Sequence, residues 1–133
     1  MNYSPVSQPP EAVANEITEK IIGCAIEVHR HLGPGLLESI YEKALCSELE
    51  EAGIAFKYQE PVPVVYKGKE LGQLRLDLLV EHEVVVELKA VDRTDPLFEA
   101  QLLSYMRLCH KNVGLLINFN VRKMTEGIRR FVI

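Results

Sequence analysis

The chain predicts an α/β protein of the α+β kind, a mixed sheet flanked by helices in the order α-α-β-β-β-α-β-β. Three observations carry this expectation. Two N-terminal segments place apolar residues at helical spacing, residues 55–91 switch to strand-like patterning with a parity split between faces over 74–90, and a short apolar run, Val113 to Phe119, follows one more helical segment.

The first ten residues, with Pro5, Pro9 and Pro10, read as a disordered tail, leaving 11–133 as a single domain. A first helix is expected over about Glu11 to His31, with Ile17, Ile21, Ala25 and Val28 on one face, and Gly33-Pro34-Gly35 breaks it. A second covers about Leu36 to Ala52 on Leu37, Ile40, Tyr41, Ala44 and Leu45, and stops at Gly53. Strands follow at about 55–66, 71–80 and 84–91, the first turn marked by Lys67-Gly68-Lys69. Asp95 then caps a helix that has Pro96 at its first position and runs to about Cys109. Val113 to Phe119 suits a strand buried on both faces and parallel to the Val84 strand, and Ile128 to Ile133 suits an edge strand.

Residue parity in the second and third strands separates two faces. Leu74, Leu76, Leu78, Val80, Val84, Val86, Leu88 and Ala90 fall at even positions, whereas the odd positions hold Arg75, Asp77, Glu87 and Lys89. Keeping both apolar sets on one side requires opposed residues of equal parity, which a two-residue loop cannot give. A three-residue loop, Glu81-His82-Glu83, sets Asp77 across from Glu87 with Cβ atoms about 5 Å apart. Ionised side chains in the middle of a sheet are costly unless they meet one another or a metal. Two carboxylates at that spacing point to a shared divalent cation.

Composition narrows the function classes. At 133 residues and 47% hydrophobic content the chain can bury a core unaided. It has no membrane-length apolar run and no secretory leader, so a cytoplasmic protein with no membrane partner is expected. Cys24, Cys46 and Cys109 are scattered singly, which argues for structural thiols over disulfides or a zinc site. Net charge is −4, but it is uneven: residues 1–99 hold 18 acids and 9 Lys/Arg, whereas residues 100–133 hold Glu126 alone against Arg107, Lys111, Arg122, Lys123, Arg129 and Arg130. A basic surface around the C-terminal third is therefore expected.

Asp77, then Glu87-Leu88-Lys89 after a hairpin, then helical Gln101-Leu102-Leu103-Ser104-Tyr105, resembles the D…ExK and QxxxY pattern of the PD-(D/E)xK nuclease superfamily. Gly35-Leu36-Leu37-Glu38-Ser39-Ile40-Tyr41 further resembles the signature of its GxxExxY branch. Leu76 stands where the superfamily has a proline before the aspartate, a position that is not a ligand. The resemblance covers about residues 12–133 and implies a restriction-endonuclease-like core and a Mg²⁺-dependent nuclease, with Mn²⁺ as a substitute ion. It implies that Asp77, Glu87 and the carbonyl of Leu88 hold the ion and that Lys89 orients the attacking water or offsets phosphate charge. Glu38 would be a supporting acid or a further ligand, and Gln101 and Tyr105 would steady the nucleophile or the substrate backbone.

Each assignment has a plainer rival. Glu87 and Lys89 could be a solvated strand face, and Gln101 with Tyr105 would by default pack at a core edge. Glu38 borders the buried stripe of its helix, as does Glu48. Arg75 either contacts substrate beside Tyr105 or pairs with Asp77, and His29 and His31 read as helix-end groups. Two functions from different classes remain: a metal-dependent nuclease or phosphodiesterase on nucleic acid, and a non-catalytic binding or regulatory protein on the same fold. A homodimer is left open.

Overall fold

The computed structural model describes residues 10–133, with side chains from Val13 onward. The expected N-terminal tail lies outside the described residues, apart from Pro10, which opens the first helix. Helices α1 (Pro10–Leu32) and α2 (Glu38–Glu51) precede strands β1 (Phe56–Tyr66), β2 (Lys69–Val80) and β3 (Val84–Lys89), followed by α3 (Pro96–Leu108), β4 (Val113–Asn118) and β5 (Ile128–Val132). A single 3-10 turn, Met124–Glu126, is the one addition to the expected order.

The five strands form one mixed sheet in sequential order. β1, β2 and β3 are joined by antiparallel hairpins, β4 runs parallel to β3 with Val84 beside Val113, and β5 closes the far edge antiparallel to β4. The parallel pair needs a crossover, and α3 supplies it. The sequence specifies where α3 begins: Asp95 accepts a hydrogen bond from the Leu97 amide at 2.9 Å, and Pro96 occupies the position where a missing N–H costs nothing. Pro61 and Pro63 are tolerated in β1 because, among the described residues, that strand pairs with β2 alone.

The sheet separates two apolar layers. On one side Ile17, Ile21, Ala25 and Val28 of α1 and Tyr41, Leu45 and Leu49 of α2 pack on Leu78, Val80, Val84, Val86, Leu88, Leu115 and Ile117. On the other, Leu102 and Met106 of α3 meet Val62, Leu76, Leu79, Val85 and Leu116. α3 lies so close that a Cβ on Gly114 would stand 2.6 Å from the Met106 sulfur.

Leu76 departs from the expected face. It packs on the α3 side, whereas Leu78, two residues on, packs on the α1–α2 side. Gln59, across from this point in β1, has φ 54°, and the β2–β3 ladder ends at the Leu78–Val86 pair. β2 therefore turns over between these two leucines, and the residue at the turn is Asp77.

Candidate active site

The hairpin loop has three residues, with Val80 paired to Val84 and positive φ at Glu81 and His82. The register so fixed brings Asp77 opposite Glu87, where side chains take over from the backbone ladder. A Glu87 carboxylate oxygen accepts the Asp77 amide at 3.1 Å, and Asp77 accepts the Leu88 amide at 2.8 Å. Each acid thus satisfies a main-chain donor of the opposite strand. Glu87 is only 6% exposed, and this arrangement is what makes a carboxyl tolerable there.

α2 brings a further acid that the sequence reading missed. Glu42 is also 6% exposed and accepts from Gln59 at 3.2 Å, and Asp77 is close enough to act on its carboxyl. Its signal was present, since Glu42 lies one turn after Glu38 on the same helix face. Burial and the neighbouring Asp77 and Glu38 raise the Glu42 carboxyl to about 7. Burial and Asp77 raise that of Glu87 to about 8. Glu38 itself, at the exposed first turn of α2, is raised by partial desolvation and by Asp77, with Lys89 opposing. Four carboxyls therefore gather around the turnover in β2.

The loop before α2 has a built geometry of its own. Gly35 adopts φ 96°, a conformation costly for any residue with a Cβ. The Tyr41 hydroxyl donates to the Gly33 carbonyl at 2.5 Å and accepts from the Leu36 amide at 3.1 Å. Tyr41 is fully buried and stacks on Phe119 at 4.6 Å between ring centroids. That clamp fixes the point at which α2 begins and so where Glu38 stands.

α3 supplies the opposite wall. The Gln101 amide donates to the Tyr105 hydroxyl at 2.9 Å, and burial and the nearby Glu87 raise the Tyr105 phenol. Lys89, at the end of β3, sets its ammonium 4.5 Å from the centroid of Phe98, a second residue the sequence reading missed. Among the described residues Lys89 forms no ion pair within contact distance, although its charge acts on both Glu38 and Glu87. Arg75 is exposed and makes no ion pair with Asp77. His29 is buried against the Val121 carbonyl at 2.7 Å, and exposed His31 pairs with Glu27.

The donor set is all oxygen, which suits a hard divalent cation. Burial and the charge of Asp77, which both face, suppress ionisation of the two buried acids, Glu42 and Glu87, and Lys89 offsets this only in part at Glu87. Among the described residues, however, no three His, Cys, Asp or Glu side chains converge as a ready metal group.

No curated protein matches the chain. The turnover acid on β2, the acid and lysine two residues apart on β3, and the glutamine and tyrosine one turn apart on α3 lie within a match to a family profile over residues 15–131, and the chain belongs to the PD-(D/E)XK nuclease superfamily.

Proposed function

We propose that the protein is a Mg²⁺-dependent nuclease of the GxxExxY branch, hydrolysing phosphodiester bonds in nucleic acid in the cytoplasm, with residues 11–133 as one domain. The observation that carries this reading is the crossed pair Asp77 and Glu87, with Lys89 beyond them on β3. The bound ion would supply the positive charge that acidifies water and offsets phosphate charge. Asp77, Glu87 and the Leu88 carbonyl would hold it. Lys89, held over Phe98, orients the attacking water and neutralises charge developing on the phosphate. Gln101 orients the Tyr105 hydroxyl toward the substrate backbone. Glu38 and Glu42 face Asp77 from the α2 side, and its charge raises both of their carboxyls. The Gly35 turn and the Tyr41 clamp support the subfamily reading, because they give the glycine and tyrosine of that motif distinct structural work. No described helix is long and apolar enough to cross a membrane.

A second reading is favoured by one observation. Asp77 and Glu87 already satisfy each other's strands without an ion, as would suit a binding or regulatory protein that retains the fold alone. Glu87→Gln separates the two: the amide keeps the shape but removes the charge a hard ion needs. The nuclease reading expects calorimetric Mg²⁺ and Mn²⁺ binding in the parent and none in the variant, together with cleavage of single-stranded, double-stranded or structured nucleic acid. A parent that binds neither ion and cleaves none of these substrates is the non-catalytic protein.

A further inference from the structure

Three buried or bridging polar groups take no part in the chemistry above, and all three brace loops at the end of the sheet where β3 and β4 finish. Asn118, 7% exposed, exchanges hydrogen bonds with the Val91 amide at 3.1 Å and carbonyl at 3.0 Å. Asn120 donates to Asp92 at 2.6 Å. His29, in the last turn of α1, holds the Val121 carbonyl. The Phe119 amide also reaches the Lys89 carbonyl at 2.9 Å, so these loops continue directly from the catalytic lysine.

Those loops carry Arg93, Arg122 and Lys123, all exposed and without an ion pair among the described residues. The acids on the loop after β3 are engaged, Asp92 by Asn120 and Asp95 by the Leu97 amide, and exposed Glu126 is a further acid after β4. The rest of the C-terminal basic excess lies elsewhere. Arg129 pairs with Glu99, Arg130 bonds Asn15, and Arg107 and Lys111 sit at the far end of α3. The basic surface expected from sequence is therefore divided, and its unpaired share nearest the catalytic lysine is this rim.

The geometry points to a strand-binding track. Arg93, Arg122 and Lys123 contact successive phosphates of the nucleic-acid strand that leaves the site past Lys89, across the ends of β3 and β4. β3 and β4 are hydrogen-bonded neighbours about 4.8 Å apart, and Arg93 and Arg122 each follow the last residue of their strand by four positions, which sets the two loops side by side. Bracing the loops beforehand lowers the ordering cost of binding. The occupant is a sugar-phosphate backbone, recognised by charge and not by base sequence. This inference rests on the nuclease reading for its ligand.

The test is fluorescence anisotropy with labelled single-stranded and duplex oligonucleotides of mixed sequence, in EDTA so that no cleavage occurs, across a salt series. The triple variant Arg93→Gln, Arg122→Gln, Lys123→Gln should bind about tenfold more weakly or worse, with a salt dependence shallower by about 2 to 3 in log–log slope, one phosphate per cation. Its melting temperature should match the parent's, since all three side chains are exposed. A control variant, Arg107→Gln with Lys111→Gln, removes two cations at the far end of α3, toward the start of β4 and away from the rim. Equal weakening in the control would show diffuse attraction and overturn the track. Unchanged affinity and slope in the triple variant, with a parent that binds, would overturn the track and leave the nuclease reading standing. A parent that binds no oligonucleotide would overturn both.

Discussion

The two ends of the β2–β3 hairpin share strands and register but differ in what holds them together. At the loop end, Val80, Val84, Val85, Val86 and Leu78 are buried and the backbone ladder is complete. At the open end the ladder stops, and Asp77 and Glu87 each accept the other strand's amide. The loop end buries carbon and gains stability, whereas the open end buries carboxyls and loses some. The first therefore holds the second in a geometry it would not adopt alone.

The largest effect should come from breaking the loop end. Leu78→Ala should cost about 2–5 kcal/mol of unfolding free energy in urea melts, as buried leucine truncations do. A loss below 1 kcal/mol would mean that the carboxyl end is not held by this core. At the open end, Lys89→Met should lower turnover by about a hundredfold or more with little change in the metal-free melting temperature. If the protein is non-catalytic, the same change should only make it melt earlier, because the buried acids lose a nearby positive charge.

The two ends should also respond differently to pH. Glu42 and Glu87 are raised in the fold to about 7 and about 8 from an ordinary 4.5, so the folded state retains protons that the unfolded chain has released. Their contribution to stability is complete below about 4.5, falls as pH rises through 7 to 8, and is absent above. Thermal melts of metal-free protein should therefore decline between pH 5 and pH 8. Mg²⁺ should oppose the decline more strongly at the higher pH, because it competes with those protons. Glu87→Gln should flatten the profile, and a profile as steep as the parent's would place the effect elsewhere. The smallest effect is expected from Phe98→Leu, which removes a cation–π contact worth about 0.5–1 kcal/mol and should slow turnover about two- to fivefold through Lys89.

Parity, turn length and capping residues were enough to read the element order, the three-residue hairpin loop, the start of α3 and the parallel β3–β4 pair from sequence. Each depends on local spacing. Leu76 was misplaced because alternation assumes a continuous strand, and nothing in its own residues announces that β2 turns over beside a positive φ at Gln59. Glu42 and Phe98 were missed for a related reason. Their roles depend on which helix faces which side of the sheet, a long-range fact that spacing within one helix does not encode. The charge tally likewise found the basic excess but could not say that Arg129 and Arg130 are engaged while Arg122 and Lys123 form no ion pair among the described residues.

Pro61 and Pro63 have a consequence beyond the pairing of β1. The β1–β2 ribbon presents exposed Val65, Tyr66 and Leu71 near its tip, a combination that invites self-association when a strand's outer rim can also donate hydrogen bonds. Proline in a sheet edge lies with its nitrogen toward solvent, so two alternate positions on this rim offer nothing to an incoming strand. A chain crowded beside its own copies during synthesis thus meets a blunted template on this edge, and the ribbon can remain apolar at its tip without seeding a fibre.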